Sequence, residues 1–335
     1  MQPPAQEAAT LFLAGDVMTG RGIDQILGHP GDPELREESV RRATTYVTLA
    51  ERANGEIPAP VDASYIWGEA LEILREVSPA ASVVNLETSI TTSGDFWPDK
   101  AVHYRMHPGN IDSLKAVPLE VCTLANNHVL DFGRRGLVET LETLEGADIQ
   151  WAGAGGDADE AAAPARVELG GGAELFVYAF GHPSSGIPPD WAAGPSRPGV
   201  NYLGELTAGV ADEIAGRIRS ETGAADLAVV SIHWGSNWGW EVPPRHVEFA
   251  RRLVDGGVDL VHGHSSHHLR PVEVRAGAPI LYGAGDLLTD YEGIGGYEQW
   301  RGDLGAMYFP TLSLGDGGLR ELRLIPTRVE RMRLT

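Results

Sequence analysis

Oxygen and imidazole donors recur at the ends of apolar runs in this chain. Asp16 closes LFLAGD, Asn85 and Glu87 close ASVVNLE, and Asn126, Asn127 and His128 follow LEVCTLA. His233 ends DLAVVSIH, and His264 and His267 lie in VDLVHGHSSHH. Carboxylate, amide oxygen and imidazole together suit a divalent cation of hard or borderline type. The chain has one cysteine, Cys122, so no CxxC exists and a structural zinc knuckle is excluded. His128 and Asp131 are three residues apart, so one helical turn would let the carboxylate orient the imidazole as a general acid or base. His264 or His267, with Asp16 or Asp286, is the candidate for a second such pair. Trp234, Trp238 and Trp240, just past His233, are candidates to line a groove for a peptide. Arg21 is a further candidate for binding substrate.

Taken singly, these residues have ordinary readings as caps, turns or loop residues. Taken together they end five strands, and open α/β sheets bind ligands beyond the carboxyl ends of their strands. The elements that would position them alternate. Strands are expected over 11–16, 81–87, 119–127, 174–181, 226–235 and 258–268, and helices over 34–53, 66–77, 134–146, 205–221 and 243–257. The tail from residue 271 reads as β throughout. That order predicts α/β with a mixed sheet or two sheets. One domain over 1–335 is expected, with residues 28–60 as a possible lid bounded by Gly and Pro.

Composition narrows the partners. The chain has 335 residues, 26 basic and 47 acidic, and a formal net charge of −21. That balance repels nucleic acid and anionic membrane surfaces. The single cysteine excludes an internal disulfide, and no apolar run reaches membrane-spanning length. The expectation is a cytoplasmic protein without membrane insertion.

The segments GDVMTGRG (15–22), VNLET (84–88), YRMHPGN (104–110), LANNHVLDFG (124–133), HWGSNW (233–238), DLVHGHSSHH (259–268) and PILYGAGD (279–286) resemble the CapA family in order and content. These are the proteins named for poly-γ-glutamate capsule synthesis. The resemblance implies a calcineurin-like metallophosphatase fold, a four-layer αββα sandwich with two mixed β-sheets. It further implies a ligand set of Glu87, Asn127, His233 and His264 for a divalent ion such as Ca, Mn, Mg or Zn. A second set, Asp16 and His267 with Glu87 shared, lacks a ligand, because Met18 stands where the wider pattern has His. A single ion is therefore the expectation.

Acid–base pairs on two faces beside a metal are the equipment for inverting a Cα centre. The chain is also similar to the soluble branch of the family associated with lasso-peptide tailoring. The sequence expectation is a metal-dependent peptide epimerase. The alternatives are a phosphoesterase or amide hydrolase, and a CapA-type accessory protein of poly-γ-glutamate synthesis.

Overall fold

A computed structural model describes residues 8–335 of the chain. Its architecture follows from strands that are apolar on both faces. In the strand Ala8–Val17, Leu11 and Leu13 enter one buried cluster, while Phe12 and Ala14 enter another. The strands Ala81–Leu86, Leu227–His233 and Leu260–His264 divide in the same way. Such strands need cover on both sides, as parallel strands generally do.

Three clusters provide that cover and so define four layers. The middle one holds Leu11, Leu13, Val83, Leu175, Val177, Leu227, Val229 and Leu260, and lies between two sheets. A second packs the first sheet against the helices Thr44–Asn54, Ala70–Val77 and Gly133–Gly146, through Tyr46, Leu74 and Leu137. The third packs the other sheet against Ala208–Glu221 and Pro244–Asp255, through Ile218, Phe249 and Leu253. The expected α/β sandwich with two mixed sheets is what forms.

The first sheet runs in the order Leu319–Arg328, Leu304–Ser313, Ala8–Val17, Ala81–Leu86, Val121–Thr123 and Gln150–Ala152, with Asp286–Leu288 also paired to Ala8–Val17. The second runs Val272–Arg275, Ala278–Leu281, Leu260–His264, Leu227–His233, Ala173–Gly181 and Ala165–Gly170. In the first sheet the strands from Ala8–Val17 to Gln150–Ala152 pair in parallel and the two C-terminal strands antiparallel, and in the second the four central strands are parallel and both edge strands antiparallel. Parallel pairing brings their carboxyl ends to a common edge.

Local differences from the expected elements have tertiary causes. The helix expected over 34–53 begins only at Thr44. Before it the chain closes a loop, with Ala43 N donating to Pro33 O, and Glu37 turns inward to Arg21 and Tyr46. The strand expected over 119–127 stops at Thr123. There Asn126 Oδ1 accepts from the amides of His128 and Val129, and those bonds replace strand pairing.

A register shift between Ala14 and Asp16 is the feature that matters most for the site. Strict alternation would send Asp16 toward the helices with Phe12 and Ala14. After the shift Val17 takes the helix side, and Asp16 faces the other sheet. Gly15 permits this. A Cβ there would lie 1.9 Å from Gly285 O, the acceptor of the Asp16 amide. Gly15→Ala should therefore lower stability by about 1–3 kcal/mol through overpacking, measured by chemical denaturation. An unchanged midpoint would contradict the close approach.

Candidate metal centre

Alternation places the polar side chains. In Ala81–Leu86 the helix side takes Val84 and Leu86, so Asn85 faces the second sheet. In Leu227–His233 the outer side takes Val230 and Ile232, so Ser231 and His233 face the first sheet. In Leu260–His264 the outer side takes Val261, so His262 and His264 also point between the sheets. His233 lies directly opposite His264 in the parallel register. The carboxyl ends of strands from both sheets thus meet in one buried polar layer.

The distances are short. His233 Nδ1 lies 2.8 Å from His264 Nδ1 and 3.9 Å from Asp16 Oδ1, and His264 Nδ1 lies 3.7 Å from the same oxygen. Asp16, His233 and His264 can offer ligand atoms all within 4.8 Å of one another. So can Asp16, His267 and Asp286, so Asp16 belongs to both groups. His267 Nδ1 is 3.1 Å from both Asp286 oxygens. Glu87 and Asn127 approach the other face of the centre. Glu87 Oε1 is 3.8 Å and Asn127 Oδ1 3.0 Å from His233 Nε2. The five residues proposed from the sequence as ligands are thus neighbours, with Glu87 and Asn127 at one nitrogen of His233, and Asp16 and His264 at the other.

The second group differs from the expectation of a lost ligand. Asp286 takes the missing place, because the short strand Asp286–Leu288 pairs parallel to Ala8–Val17 with Asp286 opposite Asp16. Asp286 entered the sequence reading only as an acid–base partner. Proximity in the fold, not a motif, makes it a potential ligand.

The electrostatics fit a cation. Asp16, Glu87 and Asp286 are three buried carboxylates, and burying them unpaired is costly. Burial, reinforced by Asp286, pushes Asp16 up to about 8. Burial, then Asp16 and Asp286, holds Glu87 well above the ordinary carboxylate range. Burial keeps His233 and His264 well below the usual imidazole value, so both are neutral rings with a lone pair to offer. Burial alone would lower His267 too, but Asp286 and Asp16 outweigh it and raise it. Carboxylates short of positive charge beside neutral imidazoles are a donor set suited to a divalent ion.

The centre opens on a cavity of about 880 Å³. Glu87, Asn127, His128, His267 and Asp286 lie on its wall, with Arg21, Lys100, Tyr104, Trp238 and Tyr291. His128 Nδ1 is 2.7 Å from Asp131 Oδ2, and His128 Nε2 is 3.8 Å from Glu87 Oε1. Lys100 Nζ is 2.7 Å from Asp131 Oδ1, and the Tyr104 ring stacks on His128 at 3.8 Å. Burial raises Asp131 to about 6 despite Lys100. Burial and Lys100 hold His128 low. Lys100 lies outside the motifs, and Tyr104, although it opens YRMHPGN, carries no sequence mark as a neighbour of His128.

The tryptophans separate. Trp234 is only 1 % exposed, stacks on His246 at 4.5 Å and donates to Tyr282 O. It continues the alternation of its strand onto the helix side, so its expected place in a substrate groove is corrected to the core. Trp238 lines the cavity and stacks on Tyr297 at 4.4 Å. Trp240 is 50 % exposed, packs against His268 and Trp300, and is not part of the cavity wall. Arg21 reaches the cavity, but its guanidinium is paired with Asp290 and Glu37 and stacked on Tyr46. From the 28–60 segment, Asn54 joins the cavity wall and bonds Glu292. Among the described residues no helix is long and apolar enough to cross a membrane.

Comparison with known proteins adds identity to geometry. The profile of the family described as bacterial capsule synthesis protein PGA_cap matches residues 10–291. A probable polyglutamine synthesis accessory protein of Mycobacterium tuberculosis is 50 % identical over 329 residues, covering 98 % of this chain and 87 % of that one. The capsule biosynthesis protein CapA of Bacillus anthracis is 24 % identical, covering 97 % and 68 %. Among solved structures, a novel phosphatase of Mycoplasma pneumoniae superposes with a TM-score of 0.51 at 11 % identity, covering 95 % of this chain and 93 % of that one. At that identity the likeness concerns fold alone.

These relatives overturn the expectation of a peptide epimerase and of isomerase activity. The chains similar along nearly this whole sequence are named for polymer and capsule synthesis, in an accessory role for the mycobacterial one. The geometry gives the reason. The second acid–base pair required for inversion, His264 or His267 with Asp16 or Asp286, is not a free pair. Those side chains crowd into the two ligand groups around Asp16.

Stripped of cations by a chelator, the protein should lose stability as pH rises. The folded pKa of Asp16, about 8, lies above the 3.8 of a free carboxyl. The native state therefore binds the extra proton between those values and is stabilised only while that proton stays on. From about pH 4 to about pH 8, one such group removes up to about 1.4 kcal/mol per pH unit, and a divalent ion should reverse the loss. Thermal melts across that range with and without Mn(II) measure it. A chelated protein indifferent to pH would contradict the buried, unpaired Asp16.

Proposed function

This chain belongs to the bacterial capsule synthesis protein family PGA_cap, and we infer that it is an accessory protein in the synthesis of a glutamate-type polymer, working through a divalent-cation centre built on Asp16. One observation carries the inference. The family match covers the segments that supply Asp16, Glu87, Asn127, His233, His264 and Asp286, of which Glu87, Asn127 and Asp286 line the cavity while Asp16, His233 and His264 lie buried beside them. A divalent ion held there supplies Lewis acidity and lowers the pKa of bound water. Manganese and zinc both suit its mixed carboxylate and imidazole donors.

The formal net charge of −21 opposes a polyanion, so any attraction for one must be local. Lys100 and Arg21 stand on the cavity wall. A cation on its floor adds positive charge where the chain end of an acidic polyamide would enter. The role of His128 follows from its surroundings. Asp131 holds its Nδ1 side, Tyr104 fixes the ring plane, and Nε2 is left toward Glu87 and the cavity. Such a ring can take or return a proton at Nε2. Cleavage of an amide or phosphoester at this centre is the second reading, and the cavity-facing His128–Asp131 pair favours it.

The test is complementation in the organism that makes the protein. Cells lacking it should regain glutamate polymer with the native gene and stay at the deletion level with Asp16→Ala, while His128→Asn lowers the yield at least tenfold. Full polymer yield from Asp16→Ala cells would show that the role does not need the centre. For the second reading, amine release from poly-γ-glutamate by purified protein should vanish with chelation and with His128→Asn.

A further inference from the structure

Two tyrosines from distant segments, Tyr104 of YRMHPGN and Tyr291 of DYEG, meet on the cavity wall. Each is held by a buried carboxylate. The Tyr104 amide donates to Asp131 Oδ2 at 2.6 Å, the oxygen that also contacts His128. Next to Tyr291 in the chain, Asp290 accepts from Arg21 Nε at 3.1 Å and from the Gly22 amide at 2.8 Å. The rings then flank the centre. Tyr104 stacks on His128 at 3.8 Å, and Tyr291 stands edge-on to His267 at 5.3 Å. Arg21 Cζ lies 4.9 Å from the first ring centroid and 5.6 Å from the second.

The two hydroxyls bond each other, and neither has another hydrogen-bond partner among the described residues. A phenol, with an ordinary pKa of about 10, keeps its proton at neutral pH, so the pair carries two O–H protons. One lies in the mutual bond. The other has no acceptor on the protein. Two phenylalanines would pack these rings equally well without a donor left over, and a donor without an acceptor is costly away from water. The mutual bond polarises the spare O–H, and the Arg21 charge beside both rings strengthens it as a donor. A fixed donor of this kind, on the wall of a cavity whose centre suits a cation, fits a ligand oxygen that carries negative charge.

We propose that Tyr104 and Tyr291 form an anion-binding dyad, which gives its spare phenolic proton as a hydrogen bond to a carboxylate or phosphoryl oxygen of the ligand in the cavity. Arg21 serves the dyad by its charge and by holding Asp290. A carboxylate as the acceptor rests on the glutamate-polymer reading given above; the donor does not.

Calorimetric titration of the full chain with tri-γ-glutamate and with inorganic phosphate, each with and without Mn(II), tests the dyad. The native protein with Mn(II) should bind at least one probe. The double variant Tyr104→Phe, Tyr291→Phe keeps both rings and should weaken that binding about 10- to 100-fold, as for a lost hydrogen bond to a charged group. Each single variant leaves one phenol to donate and should lose about 3- to 10-fold, which serves if the double variant folds poorly. Mn(II) affinity should be the same in every variant, so that a lost ligand contact is told apart from a disturbed centre. In protein labelled with 13C at tyrosine Cζ, the bound probe should shift Tyr104 and Tyr291 but not Tyr178, which lies in the outer apolar cluster. Native protein that binds neither probe, or variants that bind as tightly as native, overturn the dyad. Phosphate binding alone, lost in the double variant, upholds the dyad and removes the glutamate polymer as its ligand. Binding that needs the phenols but not Mn(II) upholds the dyad without the metal reading.

Discussion

Three carboxylates, Asp16, Glu87 and Asp286, are buried where two β-sheets meet, and the arrangement around them answers to that constraint. Taking a carboxylate out of water is tolerable only with compensating charge or donors. Asn85 donates to Asp16 Oδ1 at 2.7 Å, the Ser265 amide reaches its other oxygen, and His267 stands against Asp286. That is one titratable imidazole set against three acids. The imbalance makes this end of the sandwich the candidate cation site and distinguishes it from the paired Arg21–Asp290–Glu37 cluster nearby.

Much of this was legible in the sequence, for a physical reason. A strand covered on both faces reads as an apolar run, and polar donors closing five such runs have few structural uses in common. Asp16, Glu87, Asn127, His128, His233, His264 and His267 could therefore be named from strand ends, and the fold makes them neighbours. Asp286 was harder. Its strand is three residues long, and its place beside Asp16 comes from pairing across most of the chain. The shift that turns Asp16 inward was also hidden, because Gly15 reads simply as a small residue until Gly285 O is seen against it. Trp234 shows the opposite error. Adjacency to His233 suggested a groove, but one step along a strand reverses the face, which put Trp234 in the core.

The reaction was less legible than the fold. Histidine–carboxylate pairs look alike whether they move protons or hold an ion, and the difference lies in which pairs share a third partner. His128–Asp131 has Lys100 as its third partner, whereas His267–Asp286 shares Asp16. Relatives similar over nearly the full chain then point toward polymer synthesis.

Anomalous diffraction from crystals grown with Mn(II) examines the shared carboxylate most directly. The account predicts a manganese peak within coordinating reach of Asp16, beside His233 and His264 or beside His267 and Asp286. Density showing no ion within coordinating reach of Asp16, in crystals saturated with the metal, would contradict it.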